Sequence, residues 1–276
     1  MADAGSAKGA PNAEKLGWRL GCQAYSFKEF TLFEAIDKTA SLGLRFIEAF
    51  PGQALRKDGA QTKVNESLPQ DAREELRKKL TDRGIKLVNY GVCALSQNQD
   101  DSRKIFDFAK DMGIETIVSE PPEDALEMLD GLCTEYDMKI AIHNHPKQMG
   151  AHYWDPDIVL KACQNRSKRI GACADTGHWL RSGLNPLESL KKLEGRIVSL
   201  HFKDLNQQRP DAHDVPWGSG VCNVKAMLTE LRRQQFKGVF SIEYEYHWDD
   251  SLPEITQCVD YFDNVAAELA DTTRAD

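Results

Sequence analysis

Glu48 in RFIEAF, Glu120 in ETIVSEP, His143 and His145 in KIAIHNHP, Asp175 and His178 in IGACADTGH, His201 and Lys203 in IVSLHFKD, and Glu243 and Glu245 in VFSIEYEY share one pattern. Each stands where a short apolar run ends. Burying such groups costs free energy unless something satisfies them. Side chains alternate along a strand, so each pair of residues two apart shares a face. If those faces open on one cavity, carboxylates and imidazoles converge there, and a divalent cation keeps the carboxylates from repelling one another. Mixed nitrogen and oxygen donors suit manganese, zinc, cobalt or iron better than magnesium. Any one of these residues alone reads more readily as a satisfied structural group; the set carries the expectation of one bound metal ion.

Elements that would bring these residues together are visible as a repeat. Apolar runs begin near residues 19, 45, 86, 115, 139, 170, 197 and 239, and segments with helical spacing lie between them, among them TLFEAIDKTASLG, DAREELRKKLTDRG, SRKIFDFAKDMG and VKAMLTELRRQQFKG. Glycines 43, 84, 113, 195 and 238 punctuate the helix ends, where a left-handed residue stops a helix. Eight strand and helix units, the last helix at 252 to 270, predict an α/β fold, a parallel (β/α)8 TIM barrel over residues 17 to 276, with a flexible N-terminal segment over 1 to 16. A doubly wound open sheet usually has fewer strands and a glycine-rich first turn, which is absent here. In a barrel, the loops after the strands form the active face. The two long ones, 51 to 70 and 205 to 222, are the expected lids or substrate walls.

At 276 residues the chain fits one barrel of about 250 residues. No apolar run approaches the roughly 20 residues of a membrane span, so no membrane partner is expected. A net charge of −8 disfavours a nucleic-acid partner. The seven cysteines lack a CxxC pair and read as buried thiols. The first 15 residues lack the apolar core of a secretory signal, which points to the cytoplasm, or to secretion or the periplasm if a leader has been removed. Assembly into a homo-oligomer stays open.

DTGH (175 to 178), HFKD (201 to 204) and SIEYE (241 to 245), on strands six, seven and eight, resemble the xylose-isomerase-like barrel superfamily of sugar isomerases, epimerases and dehydratases, over about residues 18 to 270. The resemblance implies one divalent metal held by Asp175, His201 and Glu243, with His178 and Lys203 touching substrate. A salt bridge from Lys203 to Asp204 is the structural alternative. On strand five, His143 stands where epimerases of the superfamily have a glutamate that binds metal and moves a proton. Some dehydratases read Glu-x-His-Pro there, so His145 resembles their general base and His143 takes the place of the glutamate. Either His143 completes the metal shell through a ring nitrogen, or Glu120 supplies the missing carboxylate.

The chemistry implied is proton removal next to a carbonyl of a sugar or keto-sugar, with the metal stabilising the enediolate. His145, with an unperturbed pKa of about 6.5, is the expected base, and Glu120 or Glu245 the expected acid, each with a ligand-orienting role as its alternative. Reprotonation would make an isomerase or epimerase. That isomerase or epimerase is the first expectation. The alternative is expulsion of a β-substituent by a lyase acting on a 3-keto-glycoside or related keto-sugar. It becomes a serious rival because losing the strand-five glutamate weakens a symmetric two-base epimerase. No glycine-rich phosphate cradle opens a helix, so a non-phosphorylated sugar or glycoside is expected. Glu48 would take a sugar hydroxyl or bond a loop, and Trp217, with Trp179 and Trp248 as further candidates, would stack on the sugar. Two readings compete. An abasic-site endonuclease needs further histidines after strands two and three, which IEAFPG and VNYGV lack. A barrel that binds a sugar without turnover, or serves as a scaffold, has no reason to keep the full polar set.

Overall fold

The computed structural model describes residues 9–57 and 61–271. Its strands are Arg19–Gln23 (β1), Phe46–Ala49 (β2), Lys86–Cys93 (β3), Thr116–Ser119 (β4), Lys139–His143 (β5), Ile170–Asp175 (β6), Ile197–Phe202 (β7) and Val239–Ile242 (β8), each starting within one residue of the expected place. They pair in parallel in that order, and β8 closes on β1. The helices are Pro11–Lys15 (α1), Leu32–Ser41 (α2), Gln70–Arg83 (α3), Gln99–Asp111 (α4), Leu126–Tyr136 (α5), Pro156–Ala162 (α6), Thr176–Arg181 (α7), Pro186–Lys192 (α8), Val224–Arg233 (α9) and Leu252–Asp271 (α10). No helix among the described residues is long and apolar enough to cross a membrane.

Alternation along the strands builds two separate apolar layers. Ile140 and Ile142 of β5 and Leu200 and Phe202 of β7 face outward and join the large core under the helices. Inside the barrel, Val118, Ala141 and Cys173 form their own cluster with Val92 and Val198. These interior residues are small, as a narrow barrel demands. Above them, toward the C-terminal strand ends, the buried inward positions turn polar, with Glu48, His143, Asp175, His201 and Glu243.

Gly43, Gly84, Gly113 and Gly195 adopt positive φ after their helices, as expected. Gly238 has a different reason. A Cβ there would meet the Val198 carbonyl oxygen and the Phe236 ring at 2.4 Å, so close approach, not helix termination, demands glycine.

Two expectations need correction. Residues 1–8 lie outside the described residues, but from Ala10 onward the segment expected to be flexible is docked. Ala13 and Leu16 are buried, and Asp263 of α10 accepts the backbone N–H groups of Asn12 and Ala13 at 2.7 and 3.1 Å. The loop 205–222 does not wall the cavity described below; it folds on Asp204, whose carboxylate accepts backbone N–H groups of Leu205, Gly218, Gly220 and Cys222 at 2.9–3.0 Å. Asp204 is thus engaged by its own loop and not by Lys203. Replacing Asp204 with alanine strands four N–H groups, two of them on buried residues, and is expected to cost about 3–5 kcal/mol in urea unfolding. A loss below about 1 kcal/mol would contradict this account of the loop.

Candidate active site

The C-terminal mouth of the barrel is organised by a few carboxylates, each serving several partners. Glu120, one residue past β4, accepts with a single oxygen, Oε1, from His143 Nδ1 at 3.0 Å, His145 Nδ1 at 2.5 Å and the His145 backbone N–H at 3.0 Å. Both imidazoles are therefore held with hydrogen on Nδ1 and Nε2 turned away from Glu120. His143 Nε2 is buried without a hydrogen-bond partner, 3.6 Å from Asp175 Oδ2. The His145 side chain is 34% exposed and lines the cavity, so its Nε2 is accessible to a ligand.

The DTGH motif has a local explanation. Asp175 ends β6 and caps α7, its Oδ1 accepting the His178 N–H at 2.7 Å. One helical turn then sets His178 beside its own cap, with Nε2 3.5 Å from Asp175 Oδ2. Gly177 leaves room for the Lys203 stem, which a Cβ would approach to 2.8 Å. Lys203 is fully buried, its ammonium bonded to Asp175 and Glu243 and 3.4 Å from Glu245. It was expected at a substrate oxygen; the structure places it among the carboxylates.

Glu48 is also placed differently from its expected contact with a sugar hydroxyl. It is 1% exposed and bonded to His201 Nε2 (2.7 Å), Ser241 (2.7 Å), Gln23 (3.1 Å) and Asn89 (3.1 Å), crossing the barrel below the cavity. His201 thereby carries its hydrogen on Nε2, and its Nδ1, also without a hydrogen-bond partner, lies 3.0 Å from Glu243 Oε2.

These tautomers decide which nitrogens can hold a cation. By distance alone, His143, Asp175, His178 and Glu243 each bring one donor atom within 4.8 Å of the others, as do Glu120, His143 and His145. His178 Nδ1, however, faces Arg181 Nη1 at 3.0 Å, and a guanidinium can only donate. His178 must accept there, which leaves a hydrogen on its Nε2 and no lone pair for a metal. His143 Nε2 and His201 Nδ1, both buried without a hydrogen-bond partner, each offer a lone pair to a cation that displaces the proton the neighbouring carboxylates favour there. His143, Asp175 and Glu243 thus remain as donors that lie together, a mixed nitrogen and oxygen set of the kind a borderline divalent cation takes, while His201, outside both groups, reaches only Glu243 of these.

The electrostatics agree. Burial opposes charge throughout, yet the hydrogen bonds from His143 and His145 hold the Glu120 carboxyl down to about 2. Asp175 lies well below the usual carboxylate range because His178 and Lys203 outweigh its burial, and Glu243 likewise because of His201 and Lys203. Against its burial, Asp175 and Glu120 raise His143 to about 9. Carboxylates that favour a proton on this imidazole also favour a metal ion at its Nε2. Burial depresses His178 well below the ordinary histidine value, in keeping with a neutral ring.

A cavity of about 340 Å³ opens above this floor, walled by Tyr25, Phe50, Pro51, Val92 and Glu245. Trp217, expected on the sugar, is instead 3% exposed and packed between Phe202 (5.0 Å) and Phe262 (5.7 Å) in the outer core. Trp179 is fully buried, and Trp248 carries Lys28 Nζ 3.3 Å above its ring. The cavity aromatics are Tyr25 and Phe50, an edge-to-face pair at 5.2 Å. Both follow strand ends, β1 and β2, where the barrel rule alone could have found them. Arg181 was also missed. One turn after His178, it reaches Glu245 at 2.7 Å, Asp214 at 2.9 Å and the Ala212 carbonyl at 3.1 Å, fastening the loop 205–222 to the site. Glu245, an expected acid, lines the cavity with its Oε2 committed to Arg181 and facing Lys203.

Because one Glu120 oxygen orients two rings, Glu120→Gln is expected to lower turnover by about 10–100-fold. Ring ¹⁵N chemical shifts of His143 and His145 should report altered tautomers; unchanged shifts and unchanged turnover would contradict the orienting role.

The profile of the family described as the xylose isomerase-like TIM barrel matches residues 36–264. Inosose dehydratase from Bacillus cereus (strain AH820) is 30% identical over 139 residues, 44% of this chain and 45% of that protein, so less than half of the relative's length is matched. The crystal structure of an uncharacterised protein from Parabacteroides distasonis ATCC 8503 is 37% identical, with 89% of this chain and 98% of that one covered and a TM-score of 0.72. The structure of IOLI protein with a bound zinc atom shares 18% identity over 91% of this chain and 99% of that one, with a TM-score of 0.65, a likeness of fold. Since the matched stretch runs from α2 into α10 and takes in every strand after β1, the chain belongs to the xylose isomerase-like TIM barrel family.

Proposed function

We propose that this protein is a divalent-metal-dependent lyase of the dehydratase type, which removes a proton next to the carbonyl of a sugar-like substrate and then expels the group on the β-carbon. The observation that carries this reading is the pairing of one cavity-facing imidazole, His145, with a neighbouring cluster of unpartnered ring nitrogens and carboxylates. His143, Asp175 and Glu243, with His201 at Glu243, would hold the cation, which would polarise the substrate carbonyl and stabilise the negative charge developing on its oxygen. The zinc in the IOLI structure supports a divalent cation as such.

His145 takes the proton through Nε2, while Glu120 fixes the ring and favours the imidazolium that forms. The electron pair of the broken C–H bond becomes a C=C bond as the β C–O bond breaks. The proton on His145 passes to the departing oxygen, so water or an alcohol leaves and the base is restored. His178 donates from Nε2 to a substrate oxygen. An epimerase would need a second base, and the carboxylates that line the cavity, Glu243 and Glu245, are bonded to Lys203 and Arg181. The similarity to inosose dehydratases supports elimination too. Isomerisation and epimerisation share the first step and differ in the fate of the proton.

Incubation of the metal-loaded protein with inososes and 3-keto-glycosides in deuterated water, followed by ¹H NMR, tests this. An unsaturated product with loss of water or aglycone is expected. A stereoisomer or positional isomer labelled at carbon, without elimination, would replace the lyase with an isomerase. No exchange of the proton next to the carbonyl on any substrate would favour a barrel that binds without turnover.

A further inference from the structure

We infer that the cavity accepts a sugar ring bearing an aryl substituent, with the reacting end on the imidazoles and the aryl group between Phe50 and Met149. For the reacting end this rests on the proposed lyase reading; for the substituent it rests on the walls. The lining combines polar groups, His143, His178 and Glu243 among them, with an aromatic and thioether wall of Tyr25, Phe50 and Met149. The C–H face of a pyranose can lie on Tyr25 or Phe50, but a free hexose then has no apolar group left to set against Met149. A ring with one apolar end matches both.

Met149 is the informative residue. At 70% exposure it is the more exposed of two exposed large apolar side chains among the described residues, the other being Val221 at 52%. Its place is built. The single turn Lys147–Met149 lies between Pro146 and Gly150, the latter at φ 75°. Two bonds pin the turn to α7 and the residue that follows it: the Lys147 N–H donates to Ser182 Oγ at 3.0 Å, and Gln148 Nε2 donates to the Arg181 carbonyl at 2.9 Å. A thioether held over the mouth adapts to an aromatic ring and gains from contact with it. Opposite, Phe50 stacks edge-to-face with Tyr25 and also borders a second cavity of about 590 Å³, so an occupant longer than the inner cavity has space to continue past it.

Calorimetric titration of the metal-loaded protein with methyl and phenyl β-D-glucopyranoside reads the substituent directly. The phenyl probe is expected to bind about tenfold more tightly or better, and Met149→Ser and Phe50→Ala should each bring that ratio toward one. Equal affinity of the two probes would overturn the inference, as would a phenyl probe that does not bind below about 10 mM. A ratio untouched by Met149→Ser would overturn it as well, including the case in which that variant breaks a dimer in sedimentation velocity, which would place a second copy over Met149. Neither probe has a carbonyl, so this result is independent of the proton-exchange result that decides the lyase reading.

Discussion

Replacing His145 with alanine is expected to lower turnover by about 10²–10⁴-fold while the protein keeps its metal. The two effects separate because the two histidines differ in placement. His145 lines the cavity with its side chain one-third exposed, whereas His143 is buried with an unpartnered Nε2 beside Asp175. Removing the exposed ring takes away the proton acceptor and leaves the proposed ligands and the Glu120 to His143 bond in place. Substrate-derived exchange with deuterated water should fall in parallel with turnover, since both begin with the same proton transfer. Metal content measured by mass spectrometry should stay at its starting stoichiometry. Retained turnover would remove His145 from the role of base, and loss of metal would mean that it belongs to the ligand shell.

Asp175→Ala is expected to be the most damaging single change to stability and metal binding together. The carboxylate is fully buried, caps α7 through Oδ1, and shares Oδ2 with Lys203. Loss of the cap costs about 1 kcal/mol, and leaving the Lys203 ammonium with one fewer buried partner costs about 3–5 kcal/mol, against a total stability of typically about 5–15 kcal/mol. Asp175→Asn separates the contributions. Its side-chain oxygen can still cap α7, so the variant should fold, but it has lost the charge and should release metal on dialysis. Urea unfolding and metal content, measured on both variants, check the two halves. A folded Asp175→Asn protein that keeps its metal would exclude Asp175 from the ligand set.

Much of this architecture was legible because a parallel barrel writes each strand as an uninterrupted apolar run. The polar residues that break such a run at its C-terminal end mark the active face. Asp175 and His178 are legible in the sequence as the end of strand six and the residue three beyond it, and the structure links them locally, as a helix cap and the N–H it receives. What could not be read was which polar side chains are consumed by partners distant in the chain. Glu48 meets His201 and Ser241 across 153 and 193 residues, and nothing near Glu48 announces them. Arg181 looks like an ordinary helix-end arginine until the fold brings Glu245, 64 residues away, against it. Trp217 sits in a loop whose path is set by Asp204, so its burial depended on hydrogen bonds invisible in the composition of that loop. The docked α1 follows the same logic, its cap supplied by Asp263 from the far end of the chain.

The ammonium of Lys203, fully buried between Asp175 and Glu243, has a consequence for how the protein matures. Anionic side chains gathered in a barrel ordinarily resist assembly until a cation arrives. Here the chain brings its own counter-ion, carried on the strand that neighbours both acids. Folding is thereby expected not to depend on the proposed metal ion, which can be loaded afterwards. Chelator treatment should accordingly yield a folded, reloadable protein, whereas a Lys203→Met chain should depend on metal to fold.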